Sequence, residues 1–361
     1  MTAAEREQLW QRLRAAGLTE GEMPPTGEHA TPWYIRAMLG IAGWIGAWFF
    51  IGFIGTALVL VFRSGAVTSA VGALCCATAY ALFRVARERD FLPQFALAVS
   101  LSGQILVVTG LFTLLDGETG VAMYLAIAAF ELVLIALIEN FTHRVWCTLA
   151  AAVALSLALA EWSAYGIHGL AAGAIAATFA RIWLNEHKWV KQGSLWRPVG
   201  YGVAFALVWF DAFGLAAQAI GSAGGPSTIG SLAAWAGAVI AGLVFVLSIH
   251  RLLTQHDVAP ESRVGRAALA AAGTVAVLTT GAPGVVVSLL ILIIGFAGGH
   301  RTLFGLGVAA LLGYLSWFYY SLHVTLLTKS LVLVATGVVL IAAWAAMRAL
   351  VGEPDDEAAH A

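Results

Sequence analysis

Charge is what this chain has least of. Only 11% of its 361 residues are Asp, Glu, Lys or Arg, whereas a soluble domain carries about 25%. So few charges cannot cover a surface that faces water, which excludes a soluble globular domain for most of the length. The formal net charge of -1 gives no footing for a nucleic-acid partner. Cysteine is scarce too, and Cys75, Cys76 and Cys147 all lie inside apolar stretches. A disulfide framework is not indicated, and the plain reading of all three is packing as small hydrophobes. Metal-ligand spacing such as HExxH, phosphate loops, G-x-S-x-G elbows and Rossmann glycine patterns are missing in any usable context. No metal and no cofactor are expected.

What is present is apolar length. The chain is 60% hydrophobic and holds 13 Trp and 8 Tyr, residues that favour membrane–water interfaces. A bilayer core of about 30 Å takes about 20 apolar residues per helix. The apolar stretches predict spans over 38–62, 66–83, 91–115, 121–138, 145–160, 169–184, 199–220, 229–249, 267–282, 284–299, 302–320 and 327–351. This is an all-α, polytopic membrane helix bundle of about twelve transmembrane helices. Ten is the alternative, with one hairpin (145–184 or 267–299) re-entrant.

The basic residues sort along these spans. With the N-terminus inside, the cytoplasmic side receives seventeen of the 19 Lys and Arg, and the outer side only Arg63 and Lys329. That bias is the positive-inside pattern, and it places both termini in the cytoplasm. Missing one helix would scramble the alternation from that point on. No cleavable leader is expected, since the first apolar run begins near Met38 after a polar stretch.

Three regions follow. Residues 1–32 read as a cytoplasmic amphipathic helix (Thr2 to Ala16) with a Thr2–Glu5 capping box, a stop at Gly17, and a linker marked by Pro24, Pro25 and Pro32. Residues 33–352 are the helix bundle, and 353–361 an acidic tail of disordered composition.

Polar groups at membrane depth are costly, so they face the bundle interior and mark candidate sites. Glu131 and Asp211 are placed near the midplane by their positions in their helices. Both are candidates for a substrate or proton pathway, as is Lys329 as a counter-ion. Gln94, Ser100 and Gln104 lie on one helix, with Ser100 and Gln104 four apart on one face. They read as interhelical glue or as substrate contacts. Glu139 and His143 also stand four apart, and a solvated helix end accounts for them. Tyr319, Tyr320 and His323 mark the outer end of the eleventh span. The pairs Gly169/Gly173 and Gly295/Gly299 have GxxxG spacing.

The segments FLPQFALAVSLSGQ (Phe91 to Gln104) and YYSLHVTLLTKSLVLVATG (Tyr319 to Gly337) resemble a family of bacterial inner-membrane proteins catalogued as domain of unknown function 4401. Gln94, Ser100, Gln104, Tyr319, Tyr320, Lys329 and Ser330 fall on its recurring pattern, over a similarity from about Trp33 to Arg348. The resemblance implies a multi-pass protein of the bacterial inner membrane, and a partner in a small exported protein with a Gly-Asp-Tyr motif. It carries no activity and no catalytic residue.

Three functions stay open. A carrier or permease-like protein would use the midplane acids and Lys329. An envelope scaffold would dock another membrane or exported protein on the Tyr319 to Lys329 segment, with membrane lipid as its other partner. A membrane-embedded enzyme acting on lipid-linked substrates would use His323 and the tyrosines.

Overall fold

The computed structural model describes residues 3–17, 64–85, 91–162, 168–220 and 228–321, with isolated positions elsewhere; the side chains of 211–220 are not among those described. All regular structure in these residues is helical. The order is α1 (Ala3–Ala15), α2 (Gly65–Val85), α3 (Phe91–Leu114), α4 (Val121–Leu137), α5 (Phe141–Trp162) and α6 (His168–Leu184). A 3-10 segment (Glu186–Gln192) leads directly into α7 (Gly193–Ile220), followed by α8 (Thr228–Gln255), α9 (Arg263–Leu278), α10 (Pro283–Ala297) and α11 (Arg301–Ser321).

Each apolar run expected between 66 and 320 is a helix. Among the described residues, four helical segments are long and apolar enough to cross a membrane: Gly65–Val85, Leu92–Leu114, Phe141–Leu159 and Trp235–Gln255. Val121–Leu137, Leu170–Leu184 and Pro283–Ala297 are apolar but shorter. The expected spans 38–62 and 327–351 and the acidic tail lie outside the described residues.

The boundaries that moved did so for local reasons. Helix α5 starts at Phe141, four residues before the apolar run, because the Asn140 side chain accepts the His143 backbone N–H at 3.0 Å. That is the capping bond an Asn supplies at a helix start. Helix α7 starts at Gly193 rather than 199 although Pro198 lies inside it. A proline has no N–H to offer the carbonyl four residues back, here Ser194. The Arg144 guanidinium fills that gap, donating from Nη1 to the Ser194 carbonyl at 2.9 Å. Its Nε donates to the Ile135 carbonyl at 3.0 Å, one of the carbonyls that a helix C-terminus leaves unpaired. One buried cation thus ties the end of α4 to the start of α7. At the N-terminus, α1 stops at Gly17, which adopts φ +68; Thr2 of the expected capping box lies outside the described residues.

Packing divides into hairpins. Helix α2 lies along α3, α4 along α5, α10 along α11, and α6 against α8. The α2–α3 contact is a glycine zipper. A methyl added at Gly72 would meet the Gly103 carbonyl at 2.6 Å, and one at Gly103 would meet the Gly72 carbonyl at 2.7 Å. Gly65 and Gly110 oppose each other in the same way. Small residues let two backbones approach this closely, and dispersion rewards the approach. Of the GxxxG pairs, Gly295 abuts the backbone of Leu303 and Phe304, while Gly299 (φ +68) serves the turn between α10 and α11.

The largest core joins α6 to α11 around Phe179, Trp183, Leu207, Phe245, Leu290 and Ile291. The outer surface is apolar as well. On α4, Leu132, Val133 and Leu137 are each 53% exposed, whereas Glu131 is 2% exposed. A helix with its leucines outward and its acid inward is inverted relative to a soluble helix. Lipid as the surrounding solvent accounts for that inversion.

Candidate functional site

The site forms where the α2–α3 hairpin meets the α4–α5 hairpin. Helix α3 presents Ser100 and Gln104 one turn apart, and α5 presents His143 and Cys147 one turn apart. The spacing of four in both pairs puts each on a single face. The zipper of Gly72 and Gly103 holds α2 close enough for the Cys76 thiol to donate to the Ser100 carbonyl at 3.5 Å. Ser100, His143 and Cys147 are fully enclosed, and Cys76, Gln104 and Glu131 are buried.

The contacts form one network. Ser100 Oγ lies 2.8 Å from His143 Nε2. The Gln104 amide nitrogen lies 3.3 Å from His143 Nε2 and 3.5 Å from Cys147 Sγ. Cys147 Sγ lies 3.5 Å from His143 Nδ1. The thiol also interacts with the Glu131 carboxyl. Donor and acceptor roles at His143 depend on its tautomer, and the Nδ1–H tautomer gives the following arrangement. Ser100 O–H and the Gln104 N–H point at His143 Nε2, His143 Nδ1–H points at Cys147 Sγ, and Cys147 S–H points at Glu131. In that tautomer the donors run from the hydroxyl to the carboxyl. Glu131 Oε2 is buried with no hydrogen-bond partner among the described residues. An unsatisfied polar oxygen in such a place is costly, and its retention in the interior asks for a function.

Of the sequence candidates, the structure brings Ser100, Gln104 and Glu131 together. Gln94 is half-buried in the first turn of α3, away from the network. Asp211 lies on α7, and its side chain is outside the described residues; α4 and α7 each pack on α5. Tyr319 and Tyr320 stand at the end of α11 with ring centroids 5.5 Å apart, Tyr320 being 78% exposed. His323 and Lys329 lie outside the described residues.

One expectation is corrected. His143 is not part of a solvated helix end; it is 0% exposed and edge-on to Phe83 at 5.8 Å. Helix α5 begins only after Glu139, so the two do not share a helical face. Cys76 and Cys147 pack in an apolar core cluster with Leu134, Ile135 and Ile138 as expected, and each thiol also meets a polar group of the network. The signal was available in the sequence: His143 and Cys147 repeat on α5 the spacing that Ser100 and Gln104 show on α3. Among the described residues no group of three or more His, Cys, Asp or Glu side chains is placed to hold a metal ion.

Described residues whose regular structure is all helical, with membrane-length apolar helices and a buried polar network between them, define the class: a membrane protein. The model of one family, described as Domain of unknown function (DUF4401), matches residues 32–349, and the chain belongs to that family. No curated protein and no solved structure matches it.

Proposed function

We propose that this is a multi-pass protein of the bacterial inner membrane, with both termini in the cytoplasm, and that it works as a proton-coupled carrier with Glu131 as its proton-binding acid. The observation that carries the reading is the burial of Glu131 at 2% exposure with Oε2 unpartnered among the described residues, beside a buried cluster of hydroxyl, amide, imidazole and thiol groups. Ionisable groups inside a bundle of membrane helices mark ion and proton pathways. The basic residues, seventeen of 19 on one side of the expected topology, support the orientation. In that orientation Glu131 and Cys147 lie roughly 9 Å from the cytoplasmic ends of α4 and α5, at 1.5 Å per residue.

Ser100 and His143 also have the geometry of a nucleophile and its base. Both are fully enclosed, which favours holding a proton over attacking a substrate.

Proteoliposomes with a trapped pH indicator test the reading. A screen of solute classes should find at least one that drives proton movement through the wild-type protein and not through Glu131→Gln. Solute-driven proton movement that persists in Glu131→Gln removes Glu131 from the role.

A second reading has its own observation. Tyr320 is 78% exposed at the end of α11, which suits an envelope scaffold that docks another protein there. The small exported protein with a Gly-Asp-Tyr motif is the partner the family resemblance implies. A photocrosslinking residue at position 320 should trap that partner in intact cells. Crosslinks to lipid alone would remove the scaffold reading.

A further inference from the structure

A second polar centre lies at the junction of α6, the 3-10 segment and α7. Glu186 is its hub. Its Oε1 accepts from Arg197 Nε at 2.7 Å, and its Oε2 lies 2.7 Å from His300 Nε2. The pair binds the 3-10 segment to the turn between α10 and α11. Both carboxylate oxygens are thereby used. Arg197 engages Glu186 through Nε alone, so its two terminal nitrogens remain as donors on a side chain 59% exposed. Beside them is a cavity of about 480 Å³.

The walls of this cavity are aromatic and apolar, with Phe141, Trp189, Val190 and Trp196 among them. Trp189 and Trp196 lie with ring centroids 4.8 Å apart. The Trp196 indole N–H is occupied by Gln192 at 2.9 Å. The Trp189 indole nitrogen is buried, so this ring offers the cavity an apolar face. Phe141 and Val190 are 52% and 75% exposed, so the apolar wall runs out onto the surface. Residues 186–197 carry Lys188, Lys191 and Arg197 against Glu186, an excess of positive charge.

We propose that this cavity binds the headgroup of an anionic phospholipid. Its phosphate would accept from the free terminal nitrogens of Arg197, and its glycerol and upper acyl chains would cover Phe141 and Val190. The combination selects the ligand. Donors and net positive charge ask for an anion, and the exposed apolar rim asks for an attached hydrocarbon. Basic pockets between membrane helices on the cytoplasmic side hold such headgroups, and indole rings settle at that depth. A free phosphate would satisfy the donors and leave the apolar wall in water. The site shares no residue with the Glu131 network, so the two readings stand or fall separately.

Native mass spectrometry of the detergent-purified protein tests it. The protein is titrated with phosphatidylglycerol or with phosphatidylcholine of the same chains, and in a third arm with phosphatidylglycerol plus inorganic phosphate. Wild type should retain phosphatidylglycerol over phosphatidylcholine. Arg197→Gln should lower that preference by about fivefold, the worth of one basic residue against an anionic lipid. Because Arg197→Gln also disturbs Glu186, Gly193→Leu is the second variant. Gly193 lines the cavity, and a Cβ added there meets nothing within 4 Å. It should block the site while leaving every ion pair in place. Equal retention of the two lipids by wild type overturns the proposal. So does a preference that survives in both variants, or full displacement of the lipid by inorganic phosphate at equal concentration.

Discussion

Ser100 Oγ and His143 Nε2 are 2.8 Å apart across the join of two helical hairpins, though 43 residues separate them in the chain. Helices α2 and α3 pack along each other, as do α4 and α5. Polar side chains help to fasten one hairpin to the other. Interhelical hydrogen bonds in membranes average about 0.6 kcal/mol and reach about 1.7. Ser100→Ala should therefore lower stability by about 1 kcal/mol, read as a lower midpoint of denaturant unfolding in micelles. No change would mean the bond does not hold the join.

The glycine zipper should be far less forgiving. Gly103→Ala places a methyl 2.7 Å from Cys76 Sγ and from the Gly72 carbonyl. Overpacking of this kind costs about 1–3 kcal/mol. Gly273→Ala is the control, because a methyl there meets nothing within 4 Å. That change should be neutral or gain up to about 1 kcal/mol from helix propensity. Thermal unfolding of the two variants side by side decides the matter. Equal effects would contradict the packing account.

Arg144 and Pro198 should be coupled. Arg144→Met leaves the Ile135 and Ser194 carbonyls without their donor, at about 1–3 kcal/mol for each buried group. Pro198→Ala restores a helix N–H to the Ser194 carbonyl. The loss on Arg144→Met should therefore shrink in the Pro198→Ala background, by about 1 kcal/mol in a double-mutant cycle. Strictly additive effects would show that the proline does not create the vacancy Arg144 fills.

Glu186 makes the fold pH-sensitive at one place. Burial alone would raise its carboxyl, but the hydrogen bonds and charges of Arg197 and His300 outweigh that and hold it below the ordinary carboxylate value. A depressed folded-state value means stability that is fully present above the unfolded value of about 4.3. That stability is lost as pH falls through the folded value. Hydrogen exchange in residues 186–192 should accelerate as pH drops below about 4, after correction for intrinsic rates. Glu186→Gln should already exchange fast at neutral pH and lack that acid limb.

The parts of this molecule that were legible in sequence follow from solvent. Lipid forces apolar runs, and runs broken by polar residues mark helices from Gly65 to Ser321 whatever they pack against. What hydropathy could not see was polar sequence inside helices. Phe141 to Arg144 looked like a loop end because its composition is polar, and only the Asn140 cap shows that the helix has begun. The expected span opened at 199, and only a donor 54 positions before Pro198 in the chain, on another helix, shows why that proline is an interior residue. The site divides in the same way. Glu131 was found because a carboxyl in hydrocarbon is anomalous by itself. His143 and Cys147 repeat the spacing of Ser100 and Gln104, but that spacing does not say which helix faces which, so their meeting was not legible.

The most direct measurement of the central claim is an infrared pH titration of the protein reconstituted in lipid, compared with Glu131→Gln. If Glu131 is the proton-binding acid, the wild type shows a buried carboxyl band that titrates reversibly and responds to deuterium exchange, and the variant lacks it. A Glu131 band that stays fixed across the whole pH range and does not exchange would contradict the account.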